Sequence, residues 1–166
     1  MAKFKGNAVN LNAAALKVGD DAPSVELVNT GLEQVQIGGK KDKPQLLLTV
    51  PSLDTGVCAT EAKAFNEKVA SIGVEAYVVS MDLPFASGRF CSTEGISTLK
   101  ALSDFRAKEF STKYSALITD SALQGLSTRA VFVVDTNGKL SYVEMVEEIT
   151  DEPNYDKALE ALNNAL

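Results

Sequence analysis

Apolar residues fall along the chain in short runs set off by Gly, Pro, Asn and Asp. Ala8 to Leu11 and Ala15 to Val18 are spaced to pair as a small hairpin. Ser24 to Val28 and Gln34 to Ile37, joined through Asn29-Thr30-Gly31, form a second. Gln45-Leu46-Leu47-Leu48-Thr49-Val50 is almost continuously apolar, which suits a strand covered on both faces. Val57 to Ala70 carries Val57, Ala62, Phe65 and Val69 on or near one helical stripe, with Lys63, Glu67 and Lys68 opposite. A strand is expected over Val74–Ser80, a loop over Met81–Ser92 and a short helix within Thr98–Phe110. Lys113 to Leu126 reads as irregular. Ala130 to Asp135 is a third strong strand, and Thr136-Asn137-Gly138 turns it back into Leu140 to Val146. Glu147 to Pro153 is a loop, and Tyr155 to Leu166 is a final amphipathic helix.

Hairpins, then β, α, β, α, a β-hairpin and a last α imply a mixed central sheet with helices on both faces. This layout resembles the thioredoxin-like fold with an N-terminal β-hairpin extension. The 166 residues fit one α/β domain, 1–166, and 45% hydrophobic content can fill a core without disulfide staples. A net charge of −6 argues against nucleic-acid partners. No apolar run approaches the ~18 residues of a membrane span. No signal peptide is visible, so a reducing, cytoplasmic setting is expected. With two cysteines and no histidine, neither a structural zinc site nor a Cys–His pair is expected.

The chemistry centres on Pro51-Ser52-Leu53-Asp54-Thr55-Gly56-Val57-Cys58, where a buried strand turns into a helix. The first turn of a helix carries unpaired N–H groups and about half a positive charge, and both favour thiolate over thiol. Cys58 is therefore a candidate nucleophile, set against the alternative of a buried structural cysteine. Thr55 falls at or near the N-cap, where it can cap backbone N–H groups or point its hydroxyl at whatever approaches the sulfur. Pro51 ends the strand or shields a reactive site from water. The thiolate needs a fixed cation; Arg129, before the third strand, and Arg89, two residues before Cys91, both qualify. There is no Cys-X-X-Cys, because Glu61 stands three past Cys58, and no Cys-X5-Arg, because position 64 is Ala64. What remains is one sulfur that attacks and a second, Cys91, that can resolve it. Two cysteines over a strand apart start beyond the ~7 Å that a disulfide spans between Cα atoms, so a loop must move in each turnover.

Pro51-X-X-X-Thr55-X-X-Cys58 resembles the active-site signature of the peroxiredoxins. The wider segments are similar to the bacterial thiol-peroxidase branch, an atypical two-cysteine type. They are Pro51 to Glu61, Asp82-Leu83-Pro84-Phe85-Ala86, Arg89-Phe90-Cys91, Gly125 to Val131 and Glu148 to Pro153. By that resemblance Cys58 is the peroxidatic cysteine and Cys91 the resolving one within the same subunit. Thr55 would then donate and accept hydrogen bonds around the peroxide oxygens, Arg129 would hold the thiolate and the leaving oxygen, and Pro51 would shield the site. The resemblance implies reduction of hydrogen peroxide and organic hydroperoxides, thioredoxin as reductant, a homodimer and no cofactor. Two other readings stay open: a redox-switched binding protein, and a non-catalytic domain with a structural disulfide.

Overall fold

A computed structural model describes residues 1–166. Nine strands form in chain order, interleaved with four helices. They are β1 (Lys3–Phe4), β2 (Asn7–Ala8), β3 (Val25–Asn29), β4 (Gln34–Ile37), β5 (Gln45–Thr49), β6 (Glu75–Ser80), β7 (Lys100–Ser103), β8 (Ala130–Val134) and β9 (Leu140–Met145). The helices are α1 (Gly56–Val69), α2 (Pro84–Glu94), α3 (Glu109–Lys113) and α4 (Tyr155–Asn164). A seven-stranded sheet runs in the order β4-β3-β7-β6-β5-β8-β9. Its centre, β5-β6-β7, is parallel and both flanks are antiparallel. The layout is that of the thioredoxin-like fold, mixed α/β as the residue pattern implies.

Alternate residues of the central strands point to opposite faces. Leu46, Leu48, Val131 and Val133 meet α1, α2 and α4 in one core. Leu47, Val79 and Phe132 meet Phe110 and Tyr114 of the α3 region in another. Helices therefore cover both faces. On α1 the buried set is Cys58, Glu61, Ala62, Phe65 and Val69, a helical stripe. Phe65 is fully buried in it, and its truncation to alanine removes about 3–5 kcal/mol of packing.

Three expectations need correction. The first hairpin lies earlier and is tighter, Lys3–Phe4 against Asn7–Ala8, because Lys5 and Gly6 take the positive φ of a two-residue turn. Ala15–Val18 forms no strand, and Leu11 bridges Ile118 instead. Met81–Ser92 is not a loop but holds most of α2. Pro84 opens that helix, where its missing N–H costs nothing, and Gly95 ends it at φ 66°. Thr98–Phe110 holds no helix up to its last two residues; it holds β7, paired parallel to β6. The helical spacing of Leu99 and Leu102 was coincidental: Ala101 and Leu102 point into opposite cores. Through β7 the β3–β4 hairpin joins the main sheet, with Val28 opposite Ser103.

Candidate active site

Both cysteine-bearing helices are crossovers between parallel neighbours: α1 links β5 to β6, and α2 links β6 to β7. Each starts at the C-terminal end of its strand and runs back over the same face. Loops at that edge of an α/β sheet are where binding sites form. β8 runs antiparallel to β5, with Ala130 opposite Thr49. Arg129, one residue before Ala130, is thereby carried to the edge where β5 gives way to Pro51–Cys58.

The Arg129 side chain is buried, and a buried guanidinium needs partners. Its Nη2 donates to Cys58 Sγ at 3.1 Å, its Nη1 to Glu61 Oε2, and its Nε to the Ile149 carbonyl at 2.8 Å. Three of the five guanidinium N–H groups are thus engaged. Of the two arginines left open by the sequence, Arg129 is the one at the sulfur; Arg89 is exposed on α2. Burial opposes the charge on Arg129, yet Glu61 and Cys58 beside it outweigh that and hold its pKa above the usual value.

The carbonyl that receives Nε belongs to the Glu147–Pro153 loop, which the N-terminal hairpin braces. Lys3 and Ile149 are hydrogen-bonded across the gap, and the Glu148 carboxylate accepts the Lys5 and Gly6 amides at 3.0 Å each. The hairpin extension is therefore part of the frame that fixes Arg129.

Glu61, the carboxylate partner of Arg129, belongs to the same cluster and lies outside the residues that the sequence motifs single out. It lies one turn past Cys58 on the buried stripe of α1, and its Oε1 has no hydrogen-bond partner. Burial pushes its carboxyl up to about 7, against the pull of Arg129. The available signal was Glu at i+3 from Cys58, facing the core on a helix that otherwise buries apolar residues.

Cys58 has no exposed surface and sits in the first turn of α1. That turn contains no acidic residue, and the amides of Gly56, Val57 and Cys58 donate to no group of the chain. Thr55 occupies the N-cap position, but its side chain does not cap the helix. Its hydroxyl donates to the Ser52 carbonyl at 3.1 Å, which corrects the capping expectation and leaves its lone pairs free. Pro51 is buried at the strand end.

Cys91 is half-buried on α2 and packs against the same core that holds Cys58. Burial raises its thiol above the ordinary value, against a hydrogen bond from the Ala101 backbone amide. Both thiols are free. At about 1.5 Å per residue, Cys58 lies about 3 Å and Cys91 about 10 Å from the starts of their helices. The structure thus groups Cys58, Thr55, Pro51 and Arg129 at one edge and leaves Cys91 further down a neighbouring helix. No cluster of candidate metal ligands occurs, and no helix is long and apolar enough to cross a membrane.

A family model described as Redoxin matches residues 17–159. A thiol peroxidase of Campylobacter jejuni is 57% identical over 155 residues, covering 93% of this chain and 87% of that protein. A thiol peroxidase of Aquifex aeolicus is 50% identical over 157 residues, covering 94% and 92%. Among solved structures, a peroxiredoxin-like protein from Aquifex aeolicus superposes with a TM-score of 0.96 at 47% identity, covering 99% of this chain and 96% of that one.

Proposed function

Because the chain belongs to the redoxin family, as a peroxiredoxin and hence a thiol-dependent peroxidase, we propose that Cys58 is its peroxidatic sulfur and Cys91 the resolving one. The observation that carries this is the Arg129 guanidinium at 3.1 Å from Sγ, over a helix end with three unpaired amides. An opposite charge and a helix N-terminus both stabilise the thiolate, which is the attacking species.

The thiolate attacks the distal oxygen of a hydroperoxide. The O–O bond breaks, its electron pair leaves on the other oxygen, and that oxygen takes the peroxide's proton as water or an alcohol. Sulfur is left as a sulfenate, which a proton from solvent converts to the sulfenic acid. The two Arg129 N–H groups without a partner, and the Cys58 amide, are fixed donors for the charge that builds on the oxygens. The one hydrogen of the Thr55 hydroxyl is committed to Ser52, so Thr55 accepts the proton side of the peroxide. Pro51 closes the buried side against water. Cys91 then displaces hydroxide from the Cys58 sulfenic acid; with the thiol proton this leaves as water, and an intrasubunit disulfide forms. A dithiol reductant, thioredoxin in a reducing cytoplasm, returns both thiols. Hydrogen peroxide and organic hydroperoxides are the substrates, and no cofactor takes part. A homodimer is included in the reading; Leu83 and Phe85, exposed apolar residues at the start of α2, offer it contact area.

The test is stoichiometry. Wild-type protein with thioredoxin and its reductase should turn over hydrogen peroxide continuously. Cys91→Ser should consume about one peroxide per chain and then stall. Sustained thioredoxin-linked turnover in Cys91→Ser would overturn the role given to Cys91. No peroxide consumption by the wild type would overturn the cycle.

A further inference from the structure

Asp82 lies between β6 and α2, two residues before Pro84, and its carboxylate faces the Cys58 loop. Oδ1 accepts the Ser52 hydroxyl at 2.7 Å. Oδ2 accepts the Leu53 amide at 2.7 Å and the Ser80 hydroxyl at 2.8 Å. Its own carbonyl takes the Ser103 hydroxyl and its amide reaches Ser80 Oγ, so it is pinned to the ends of β6 and β7 as well. Short bonds to an ionised acceptor are about twice as strong as neutral ones. Leu53, one of the residues so held, is buried in the core that contains Cys58 and Phe90.

At its other end α2 leads to a second fastening. Asn66 of α1 accepts the amides of Ser97, Thr98 and Leu99 through one oxygen, at 3.1, 2.8 and 3.0 Å. Between the two fastenings α2 buries only Pro84, Ser87 and Phe90, with Gly88 in its middle. A helix with so few core contacts opens locally at low cost, and its fastenings then set how often it opens.

We propose that Asp82 is a positioning residue, a latch between the Pro51–Thr55 loop and the root of α2, which sets the balance between the state that meets peroxide and the opened state that forms the disulfide. The proposal rests on the resolving role given to Cys91. Closed, the latch keeps Ser52 and Leu53, and with them the turn that presents Thr55 and Cys58, in place over Arg129. Released, it frees the loop and the helix together. Weakening it slows the first step and speeds the second, a split that plain destabilisation does not produce.

The experiment uses stopped-flow mixing of the reduced full chain with hydrogen peroxide, resolving sulfenic-acid formation from disulfide formation. Ser52→Ala removes the bond to Oδ1, together with the weaker 3.2 Å bond from the Asp54 amide to Ser52 Oγ, and leaves no buried charge unpaired; Asp82→Ala removes the carboxylate. In Ser52→Ala, disulfide formation is expected to rise about tenfold, the loss of one hydrogen bond to a charged group. Sulfenic-acid formation should fall, and the Leu53 amide of the reduced protein should exchange with deuterium faster. Asp82→Ala, where it folds, shifts all three further the same way. Step rates and exchange unchanged in Ser52→Ala, or both steps slowed together, overturns the latch while the wild-type disulfide still forms. If the wild type forms no Cys58–Cys91 disulfide, the cycle itself has failed and the latch falls with it.

Discussion

Cys58 stands in the first turn of a 14-residue helix, with no exposed surface and a guanidinium on its sulfur. That guanidinium is fixed by a carboxylate from α1 and a carbonyl from the Glu147–Pro153 loop, which the N-terminal hairpin braces. Cys91 stands eight residues into an 11-residue helix, half-exposed, with no charged side chain bonded to it. The two sulfurs are the same chemical group in opposite mechanical settings. The sulfur proposed to meet substrate is tied to separate parts of the chain. The sulfur proposed to resolve it sits on a short helix with three buried residues. Their surroundings differ too: at Cys91 burial favours the neutral thiol, whereas at Cys58 a guanidinium donates to the sulfur at 3.1 Å.

The contrast breaks most completely if Arg129 is dispensable. Arg129→Ala alone would strand the Glu61 carboxylate, a destabilising change in its own right. The informative comparison is Glu61→Gln with and without Arg129→Ala. The double variant is expected to fold and to react with hydrogen peroxide about 10²–10³ times more slowly than Glu61→Gln, the cost of losing a fixed oxyanion donor. Pre-steady-state oxidation of Cys58 measures this. Equal rates would mean that the sulfur needs no cation.

A smaller effect sharpens the same contrast from the stability side. The Glu61 carboxyl titrates near 7 in the folded chain against 4.5 as its ordinary value, so the folded state binds the extra proton between those values. Stability contributed by this group is therefore full below about 4.5 and is lost as pH rises through about 7, by on the order of 3 kcal/mol. In the difference between wild type and Glu61→Gln, denaturant unfolding should follow that slope. A flat difference across the window would mean that Glu61 stays ionised beside Arg129.

Much of this was legible in the residues. Strands β5, β6, β8 and β9 and helix α1 announced themselves by continuous apolar runs and a helical stripe. Pro51, Thr55 and Cys58 are local in sequence, so spacing alone put them together. Arg129 could not be preferred to Arg89 by spacing, because the antiparallel register of β8 on β5 selects it, and register is a tertiary property. The α2 helix was misread because Pro84 and Gly88 are loop signals in isolation; Pro at the first helical position is also a start signal, and packing decides between them. β7 was misread because four residues carry too little pattern to outvote chance helical spacing. Glu61 was passed over because its burial depends on an arginine 68 residues away.

The central claim is that the surroundings of Cys58, and not those of Cys91, keep a sulfur ionised at neutral pH. The direct measurement is the ultraviolet thiolate absorbance of the reduced protein, titrated with pH in wild type, Cys58→Ser and Cys91→Ser. At neutral pH the wild type and Cys91→Ser should show one thiolate per chain, and Cys58→Ser should show none. A neutral-pH thiolate signal missing from Cys91→Ser, or undiminished in Cys58→Ser, would contradict the account.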